Sequence, residues 1–398
     1  GGSASLTINK AYLAITGLSA GDKVYDATTV ATLTGTASVS PLGSDSVTLG
    51  GTGIANFADK NVGTHKTVTV SGYTLSGADA ANYNLVQPTG GLKADITPAT
   101  LTITANAGQH KIYGDIDPTL GYAVSGWKLS DDNSLLTGAL GRASGENAGL
   151  YAMNKGTVAA GGNYTIAYNS ASPQFEITPR TLTAIINAQN KVYDGNSSAS
   201  VIYGDNRVSG DLLSITGNAA TFSDKNAGSN KTVIVNGLTL SGADAGNYVL
   251  AATTATDTAD ISKAQAIVTA NSLNTVYNGQ NQTVTGFTAS GLVGGEDESV
   301  LTGVSTTGGQ GKNVGSYSHS ASGTDGNYDI TFVDGALEIA KAKATVTANS
   351  LNTVYNGKDQ TVTGFTASGL VGGATEAVLH GVTASVTGQD AGSYINTA

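Results

Sequence analysis

Alternating hydrophobic and polar residues run through most of the chain. Segments 67–70 (Thr-Val-Thr-Val) and 232–235 (Thr-Val-Ile-Val) place β-branched residues at every second position. This period of two is typical of half-buried β-strands, with threonine on the outer face. Only two stretches, 128–136 and 295–301, combine a Ser/Asp cluster with following apolar residues, which predicts one short helical turn in each. The pattern therefore predicts a mainly β protein.

Four sequence marks recur in the same order along the chain. The first is a short boundary segment, at 6–11, 96–99, 177–180, 261–264 and 339–342. The second is a Val/Ile-Tyr pair, which contains Tyr25, Tyr113, Tyr193, Tyr277 and Tyr355. The third is an Asn/Asp-x-Gly turn, at 61–63, 147–149, 226–228, 313–315 and 390–392. The fourth is an Asn-Tyr pair, at 82–83, 163–164, 247–248 and 327–328.

These marks predict five tandem repeats of roughly 80 to 90 residues, a plausible size for a small domain. We number them repeat 1 (11–98), repeat 2 (99–179), repeat 3 (180–262), repeat 4 (263–340) and an incomplete repeat 5 (341–398), with residues 1–10 as the end of a preceding repeat. Repeats 1 and 3 share Ser-Gly-Ala-Asp-Ala-x-Asn-Tyr, whereas repeats 2, 4 and 5 carry a Ser-Gly-apolar segment instead.

The predicted fold class is a mainly β tandem array of small β-rich domains. The strand order within a repeat fits a β-grasp-like domain and an Ig-like sandwich equally well, because the two differ in which strands pair. The linkers are short, and Pro98 and Pro179 restrict the backbone there. Short extended linkers predict a semi-rigid string of domains that forms an elongated rod.

Composition narrows the possible partners. The chain has no Cys, which excludes disulfides and thiolate metal sites. Its net charge is -10 with only 19 Lys and Arg residues, which argues against nucleic acid and against anionic membrane surfaces. No apolar run is long enough to span a bilayer, so we expect no membrane insertion in this segment.

Candidate catalytic and metal-binding residues are scattered. The four histidines, His65, His110, His319 and His380, occupy non-equivalent positions, and we expect structural or surface roles for them. Acidic clusters could hold structural Ca²⁺ through oxygen ligands, but solvated loops are the simpler interpretation. These clusters are Asp115 with Asp117, Asp131 with Asp132, and Glu296 with Asp297 and Glu298. We therefore predict no catalytic, cofactor-binding or metal-binding residues and no cofactor.

Two further sets of residues admit a functional interpretation. Lys60-Asn61 and Lys225-Asn226 recur at equivalent positions, so an amide crosslink to another strand is one hypothesis and a turn role the simpler one. The repeated tyrosines and the single Trp127 could stack on sugar rings. Because the tyrosines recur in every repeat, core or corner packing is the preferred interpretation, with each hydroxyl bonded to the backbone.

The recurring motifs resemble two known domain families. Repeats with Val-Tyr-Asp, such as 192–195, resemble the YDG domain, and those with Ile-Tyr-Gly or Val-Tyr-Asn-Gly, such as 276–279, resemble the MBG domain. Both alternate in large filamentous-haemagglutinin-like adhesins of Gram-negative bacteria, which are exported by two-partner secretion. The resemblance implies an extracellular, cell-surface location and brings no catalytic residues.

The expected function is therefore a structural stalk segment of a secreted or cell-surface bacterial adhesin, acting in adhesion or biofilm formation. The resemblance implies that extracellular polysaccharide, host surfaces or neighbouring cells are bound through other regions. The alternative function is a glycan- or exopolysaccharide-binding module in the same kind of adhesin. We expect no enzymatic activity.

Overall fold

The computed structural model describes residues 1–89, 91–171 and 173–398. Regular structure in these ranges consists of β-strands and short 3-10 turns, which confirms the mainly β prediction. The β-grasp alternative requires an α-helix packed on a sheet, and the described ranges contain none. Repeats 2 and 4 instead each build two sheets of three or more strands, as a sandwich does.

The chain divides into two compact units. The first unit consists of Gly1–Leu182, Val208–Leu213 and Gly242–Val249, and the second of Thr183–Arg207, Ser214–Ser241 and Leu250–Ala398. Repeats 1 and 2 therefore belong to the first unit and repeats 4 and 5 to the second. Repeat 3 contributes segments to both.

Repeat 1 builds a six-stranded sheet in the order β2-β4-β5-β6-β8-β3 and a separate parallel pair, β1 with β7. Its strands are β1 (Ala11–Ala14), β2 (Thr16–Gly21), β3 (Lys23–Val24), β4 (Val30–Ser38), β5 (Thr48–Phe57), β6 (Gly63–Ser76), β7 (Tyr83–Val86) and β8 (Leu92–Thr97).

Repeat 2 builds two three-stranded sheets, β11-β9-β17 and β10-β18-β14, with two short antiparallel pairs, β12-β16 and β13-β15. Its strands are β9 (Ala99–Ala105), β10 (His110–Ile112), β11 (Tyr122–Ser125), β12 (Leu136–Thr137), β13 (Gly141–Arg142), β14 (Gly149–Tyr151), β15 (Met153–Asn154), β16 (Ala159–Ala160), β17 (Tyr164–Tyr168) and β18 (Phe175–Thr178).

In repeat 3 the second unit contains the sheet β21-β28-β25-β24 and the pairs β20-β22 and β23-β26. The strands of this repeat are β19 (Arg180–Leu182), β20 (Ala184–Ala188), β21 (Lys191–Val192), β22 (Val201–Asp205), β23 (Ser214–Thr216), β24 (Thr221–Phe222), β25 (Gly228–Asn236), β26 (Thr239–Ser241), β27 (Tyr248–Leu250) and β28 (Thr254–Ser262).

Repeat 4 builds the sheets β32-β29-β36 and β30-β37-β35-β33 and the pair β31-β34, while repeat 5 contributes the pairs β38-β40 and β39-β41. The strands are β29 (Ala264–Ala270), β30 (Leu273–Val276), β31 (Gln282–Thr283), β32 (Phe287–Ser290), β33 (Val304–Gly308), β34 (Gln310–Gly311), β35 (Gly315–Gly323), β36 (Tyr328–Val333), β37 (Gly335–Ala340), β38 (Thr345–Ala348), β39 (Gln360–Thr363), β40 (Phe365–Ser368) and β41 (Ser385–Gly388).

Parallel pairing brings the beginning and the end of a repeat side by side. In repeat 4, β29 runs parallel to β36, and β30 runs parallel to β37. In repeat 2, β9 and β10 pair in the same way with β17 and β18. The last strand of a repeat therefore lies beside the first strands of the same repeat. A single residue, Pro98, connects β8 of repeat 1 to β9 of repeat 2.

Short 3-10 turns lie at both positions where a helical turn is predicted. Asn133–Leu135 and Glu298–Val300 each begin after an aspartate, Asp132 and Asp297, whose side chain accepts a hydrogen bond from the second amide of the turn. Three further 3-10 turns lack a periodic sequence signal, at Ala80–Asn82, Ala245–Asn247 and Glu376–Val378.

The apolar core continues from one repeat into the next. One cluster of buried side chains joins Val68 and Ile96 of repeat 1 to Leu101 and Tyr164 of repeat 2. In repeat 4, a smaller cluster contains Val284, Leu337 and Ile339. Repeats 1 and 2 therefore do not each enclose a wholly separate apolar interior.

Candidate functional site: the tyrosine joints

Three successive repeat boundaries are closed by the same set of side chains, which we call a tyrosine joint. The leading repeat supplies the tyrosine of its Val/Ile-Tyr pair and its Asn-x-Gly turn. The following repeat supplies the Asn-Tyr pair and one carboxylate. The joint between repeats 1 and 2 and the joint between repeats 2 and 3 lie in the first unit, and the joint between repeats 3 and 4 lies in the second.

At the joint of repeats 1 and 2, two tyrosines share one carboxylate. The hydroxyls of Tyr25 and Tyr164 donate to the same Asp131 oxygen, at 2.9 and 2.7 Å. The two rings meet edge to face, with centroids 5.3 Å apart and planes at 79°. Both tyrosines are buried, and Lys60 Nζ lies 3.9 Å from the other Asp131 oxygen. The ring contact fixes the apolar part of each tyrosine, and the hydrogen bonds fix its hydroxyl group.

The asparagine of the following repeat holds the turn of the leading one. Asn163 Oδ1 accepts from the backbone amide of Val62 at 2.9 Å, and its Nδ2 donates to Asn61 Oδ1 at 3.1 Å. One side-chain amide therefore satisfies both a backbone donor and a side-chain acceptor across the boundary.

The joint between repeats 2 and 3 repeats this arrangement. The rings of Tyr113 and Tyr248 are 5.4 Å apart at 74°, and the Tyr248 hydroxyl donates to Asp211 at 2.5 Å. Asn247 is buried, accepts from the amide of Ala148 at 2.8 Å and donates to Asn147 at 3.2 Å.

The joint between repeats 3 and 4 uses glutamate in place of aspartate. The hydroxyls of Tyr193 and Tyr328 donate to the two oxygens of Glu296, at 2.6 and 2.7 Å. Lys225 Nζ lies 3.2 Å from the first of these oxygens. The ring centroids are 5.5 Å apart at 82°.

Asn327 completes this joint in the same way as its counterparts. It accepts from the amide of Ala227 at 2.9 Å and donates to Asn226 at 3.2 Å.

Burial and hydrogen bonding shift the pKa values of the joint tyrosines and of Glu296. Burial, followed by the neighbouring carboxylate, raises the pKa of Tyr113, Tyr164 and Tyr193 to about 12. Burial alone would raise the pKa of Glu296. The hydrogen bonds from Tyr193 and Tyr328 and the Lys225 ammonium together outweigh burial and lower it. At neutral pH the joint between repeats 3 and 4 is thus a carboxylate bound by neutral phenols.

The sequence around the leading tyrosine explains its fixed position. The amides of Tyr25 and Tyr193 donate at 2.8 Å to Thr97 O and Ser262 O, the last residues of β8 and β28. The aspartate that follows folds the chain into a turn, since Asp194 Oδ1 accepts from the Asn196 amide at 3.1 Å. This turn follows β21, which pairs in parallel with β28, so the turn does not connect two strands of a hairpin.

The predicted solvated-loop role of the acidic clusters is wrong for Asp131 and Glu296. Their side chains are only 11% and 14% exposed, because each lies beneath two tyrosines. Both residues reach partners far away in sequence, which local pattern does not reveal. A signal was nevertheless present, since a carboxylate precedes the tyrosine of every Asn-Tyr pair by 32 to 38 residues.

Asp115 and Asp117 are paired with cations. Asp115 pairs with Arg180, and Asp117 is 2.7 Å from Lys111 and 2.6 Å from Arg142. Hydrogen bonds from Arg142 and Lys111 lower the pKa of Asp117 to about 2 against the opposing effect of burial. Within the described ranges no three His, Asp or Glu side chains group as metal ligands would.

The histidines are not brought together. His319 is buried, with its Nδ1 2.7 Å from the carbonyl oxygen of Asn271. His65, His110 and His380 are exposed. These positions fit the predicted structural and surface roles.

The tyrosines and Trp127 line the joints. As predicted, the tyrosines of the Asn-Tyr pairs are buried and accept backbone hydrogen bonds, such as that from the Lys128 amide to Tyr164 at 3.1 Å. Trp127 is half-buried, with its ring centroid 5.2 Å from that of Tyr164. Asn61 and Asn226 act as turn residues of the joints, and Lys60 and Lys225 face carboxylates. The turn interpretation of these pairs therefore fits better than the crosslink.

Two protein-family models match the two kinds of repeat. The family model of the YDG domain matches residues 9–90 and 178–256. That of the MBG domain (YGX type) matches residues 101–172 and 266–338. The chain is therefore a tandem array of small β domains. These domains are YDG and MBG domains, which alternate along the chain.

Comparison with solved structures finds only weak likeness. Immunoglobulin domains 1–4 of Sidekick-1 are 13% identical over 82% of this chain and 97% of that chain, with a TM-score of 0.21. Drosophila N-cadherin EC1-3 is 10% identical over 58% of this chain and 97% of that chain, with a TM-score of 0.17. TM-scores this low do not establish a common fold.

No curated protein matches the chain. The part of the chain that the structure describes has no helix of the length and hydrophobicity needed to cross a bilayer.

Proposed function

We propose that this chain is a stalk segment of a secreted or cell-surface bacterial adhesin, which spaces a binding region away from the cell. The observation that carries the proposal is the recurrence of one tyrosine joint at three consecutive repeat boundaries. In repeat arrays each repeat contacts only its neighbours, so one interface used at every boundary lets repeats be added in series, as a spacer requires.

The chemistry of the joint supports a spacing role. Each joint combines an aromatic pair, a shared carboxylate and an asparagine on a turn, so it resists bending and twisting through contacts in different directions. The linker between β8 and β9 is a single residue, Pro98, which limits independent movement of repeats 1 and 2. The alternating YDG and MBG domains support an extracellular adhesin as the parent protein, and the proposal includes no catalytic role.

Small-angle scattering of the whole chain tests the proposal. A compact protein of this length would have a radius of gyration of roughly 21 Å, and we expect a much larger value. In a triple variant, Asp131→Ala with Asp211→Ala and Glu296→Ala, we expect a more flexible profile, because the joint tyrosines lose their common acceptor.

The matched control removes three exposed carboxylates outside the joints, Glu176, Asp334 and Asp359, by substitution with Ala. It changes the net charge equally and should scatter as the wild type does. Circular dichroism checks that each variant keeps its strands. A compact wild-type profile would refute the stalk role.

A further inference from the structure

Repeat 4 holds its first and last strands side by side, running in the same direction. β29 pairs in parallel with β36, beginning with Ala264 opposite Tyr328. β30 pairs in parallel with β37, ending with Val276 opposite Ala340. The chain therefore enters the repeat at the amino end of the first ladder of hydrogen bonds and leaves it at the carboxyl end of the second. We call β29 the entry strand and β37 the exit strand.

Tension on the chain pulls the partners of each ladder in opposite directions along their length. The entry strand is drawn toward its amino end, and β30 follows it through residues 271–272. The exit strand is drawn toward its carboxyl end, and β36 is tied to it through Asp334. Bonds in a parallel ladder are evenly spaced, so sliding stretches them all at once, whereas opening from one end breaks them one after another.

Both strands that take the load are bonded on two sides. β29 lies between β32 and β36, and β37 lies between β30 and β35. Repeat 2 has the same arrangement, with β9 between β11 and β17, and β18 between β10 and β14. Its two ladders are also parallel, β9 with β17 and β10 with β18. In both MBG domains, therefore, neither the entry strand nor the exit strand is an edge strand.

Buried side chains also oppose sliding. In the exit strand of repeat 4, Leu337 and Ile339 are buried, and Glu338 between them is exposed. Because side chains alternate between the two faces of a strand, a shift by one residue would turn Glu338 toward the apolar core and both apolar side chains away from it. In the entry strand, Ala266 and Val268 are buried in the same alternating way. A small slip therefore costs packing as well as hydrogen bonds.

The connections to and from the ladders are short. The amide of Tyr277 donates to Ala340 O at 2.9 Å, and that of Tyr113 donates to Thr178 O at 2.9 Å, so a backbone bond closes the exit end in both MBG domains. A single residue separates the last strand of the preceding repeat from β9 and from β29. Load from a neighbouring repeat thus reaches the entry strand directly.

We propose that the MBG domains, repeats 2 and 4, are mechanical clamps. By this we mean domains that resist tension because the entry and exit strands must slide past their partners before the domain can unfold. The inference rests on the proposed stalk function, since a stalk attached to a cell at one end and to a bound surface at the other is pulled along its chain. Bearing that tension is a function in addition to spacing.

Single-molecule pulling on repeat 4 within the whole chain, in two directions, tests the clamp. The chain has no Cys, so two introduced cysteines give unique attachment points for the handles. Lys263→Cys with Lys341→Cys places the handles beside the entry and exit strands, where tension slides the ladders. Gln280→Cys with Lys341→Cys places both handles near the carboxyl end of the β30-β37 ladder, where tension peels β37 away. All three positions are exposed.

Forced unfolding is governed by the unfolding rate, which depends on the direction of pulling, whereas the unfolding free energy does not. At one fixed force we expect the 263/341 variant to stay folded at least about tenfold longer than the 280/341 variant. That ratio corresponds to about 1.4 kcal/mol of additional barrier. The chain length released, up to about 3.6 Å for each residue between the handles, identifies repeat 4 as the domain that opened.

Chemical denaturation without force is the matched control, and both variants should unfold with the same free energy. Equal lifetimes in the two directions, or a shorter lifetime for the 263/341 variant, would overturn the clamp. Scattering by the whole chain tests the stalk role separately. An extended chain whose repeat 4 unfolds equally fast in both directions would refute the clamp alone, and a compact chain with a long-lived 263/341 variant would refute the stalk alone.

Discussion

Position 27 shows what the glycine of the Tyr-Asp-Gly motif does. Gly195 has a φ of 81°, in the left-handed region that glycine adopts without strain. Repeat 1 has Ala27 at this position, and its φ is 65°. Even so, Asp26 accepts from the Thr28 amide at 2.9 Å just as Asp194 does from the Asn196 amide. The turn is retained at the cost of backbone strain.

Ala27→Gly should therefore stabilise the protein by about 1 kcal/mol. An L-residue in the left-handed region costs about 1–2 kcal/mol, and glycine relieves this strain. Part of the relief is offset because glycine raises the conformational entropy of the unfolded chain. The reciprocal change, Gly195→Ala, should destabilise by a similar amount or more, because a Cβ there lies 3.3 Å from Gly294 Cα. Chemical denaturation measures both. A stability of the Ala27→Gly variant equal to or below that of the wild type would contradict the strain.

Asp117 gives the charge cluster of repeat 2 a defined pH dependence. Its pKa is about 2 in the folded protein against an ordinary 3.8. A lowered carboxyl pKa stabilises the fold above the ordinary value, and the stabilisation disappears as the pH falls from about 4 to 2. Since the Asp117 side chain is 42% exposed, we expect at most about 1 kcal/mol.

The unfolding free energies of the wild type and of the Asp117→Asn variant, measured as a function of pH, check this prediction. Asparagine does not titrate, so the difference in unfolding free energy should be largest near pH 5 and shrink toward pH 2. A difference that stays constant over this range would show that Asp117 acts through packing alone.

At the level of elements, each joint attaches a 3-10 turn or strand start of one repeat to a turn of its neighbour. Asn163 precedes β17, and its side chain binds the amide of Val62 just before β6. A backbone amide held by a side chain exchanges its hydrogen only when that contact opens. Exchange at these amides therefore reports directly on the joint.

Asn163→Ala should accelerate hydrogen exchange at the Val62 amide by about tenfold, the equivalent of about 1.4 kcal/mol for the lost hydrogen bond. The amides of Ala148 and Ala227, held by Asn247 and Asn327, are internal controls and should exchange as in the wild type. Unchanged exchange at Val62 in the variant would mean that its protection comes from elsewhere.

The strands and repeat marks could be predicted because they rest on local patterns. The alternation of polar and apolar residues predicts β6 and β25. Asp and Asn residues predict the turns that end the Tyr-Asp-Gly segments. The role of Asp131 could not be predicted in this way, because its partners Tyr25 and Tyr164 lie 106 and 33 residues away. Which acidic residue lies beneath the tyrosines depends on how loops fold back, and local periodicity carries no such information.

For the whole molecule, the joints couple neighbouring repeats energetically. The buried cluster that contains Val68, Ile96, Leu101 and Tyr164 belongs to both repeat 1 and repeat 2. In repeat arrays, stability is approximately the sum of the stability of each repeat and of each interface. An interface of this kind should make repeats 1 and 2 open together rather than one at a time.

Asp131→Ala tests this coupling in full. The substitution leaves the buried hydroxyls of Tyr25 and Tyr164 without their acceptor, at a cost of about 2 kcal/mol. Native-state hydrogen exchange should show reduced protection of β6 and β8 in repeat 1 as well as β9 and β17 in repeat 2, by similar factors. Strands β29 and β37 of repeat 4 should keep their protection, because an intact joint with Glu296 precedes them. Glu176→Ala, an exposed carboxylate of repeat 2, should change neither repeat. If only repeat 2 lost protection, the boundary would be a passive contact, and repeats 1 and 2 would open independently.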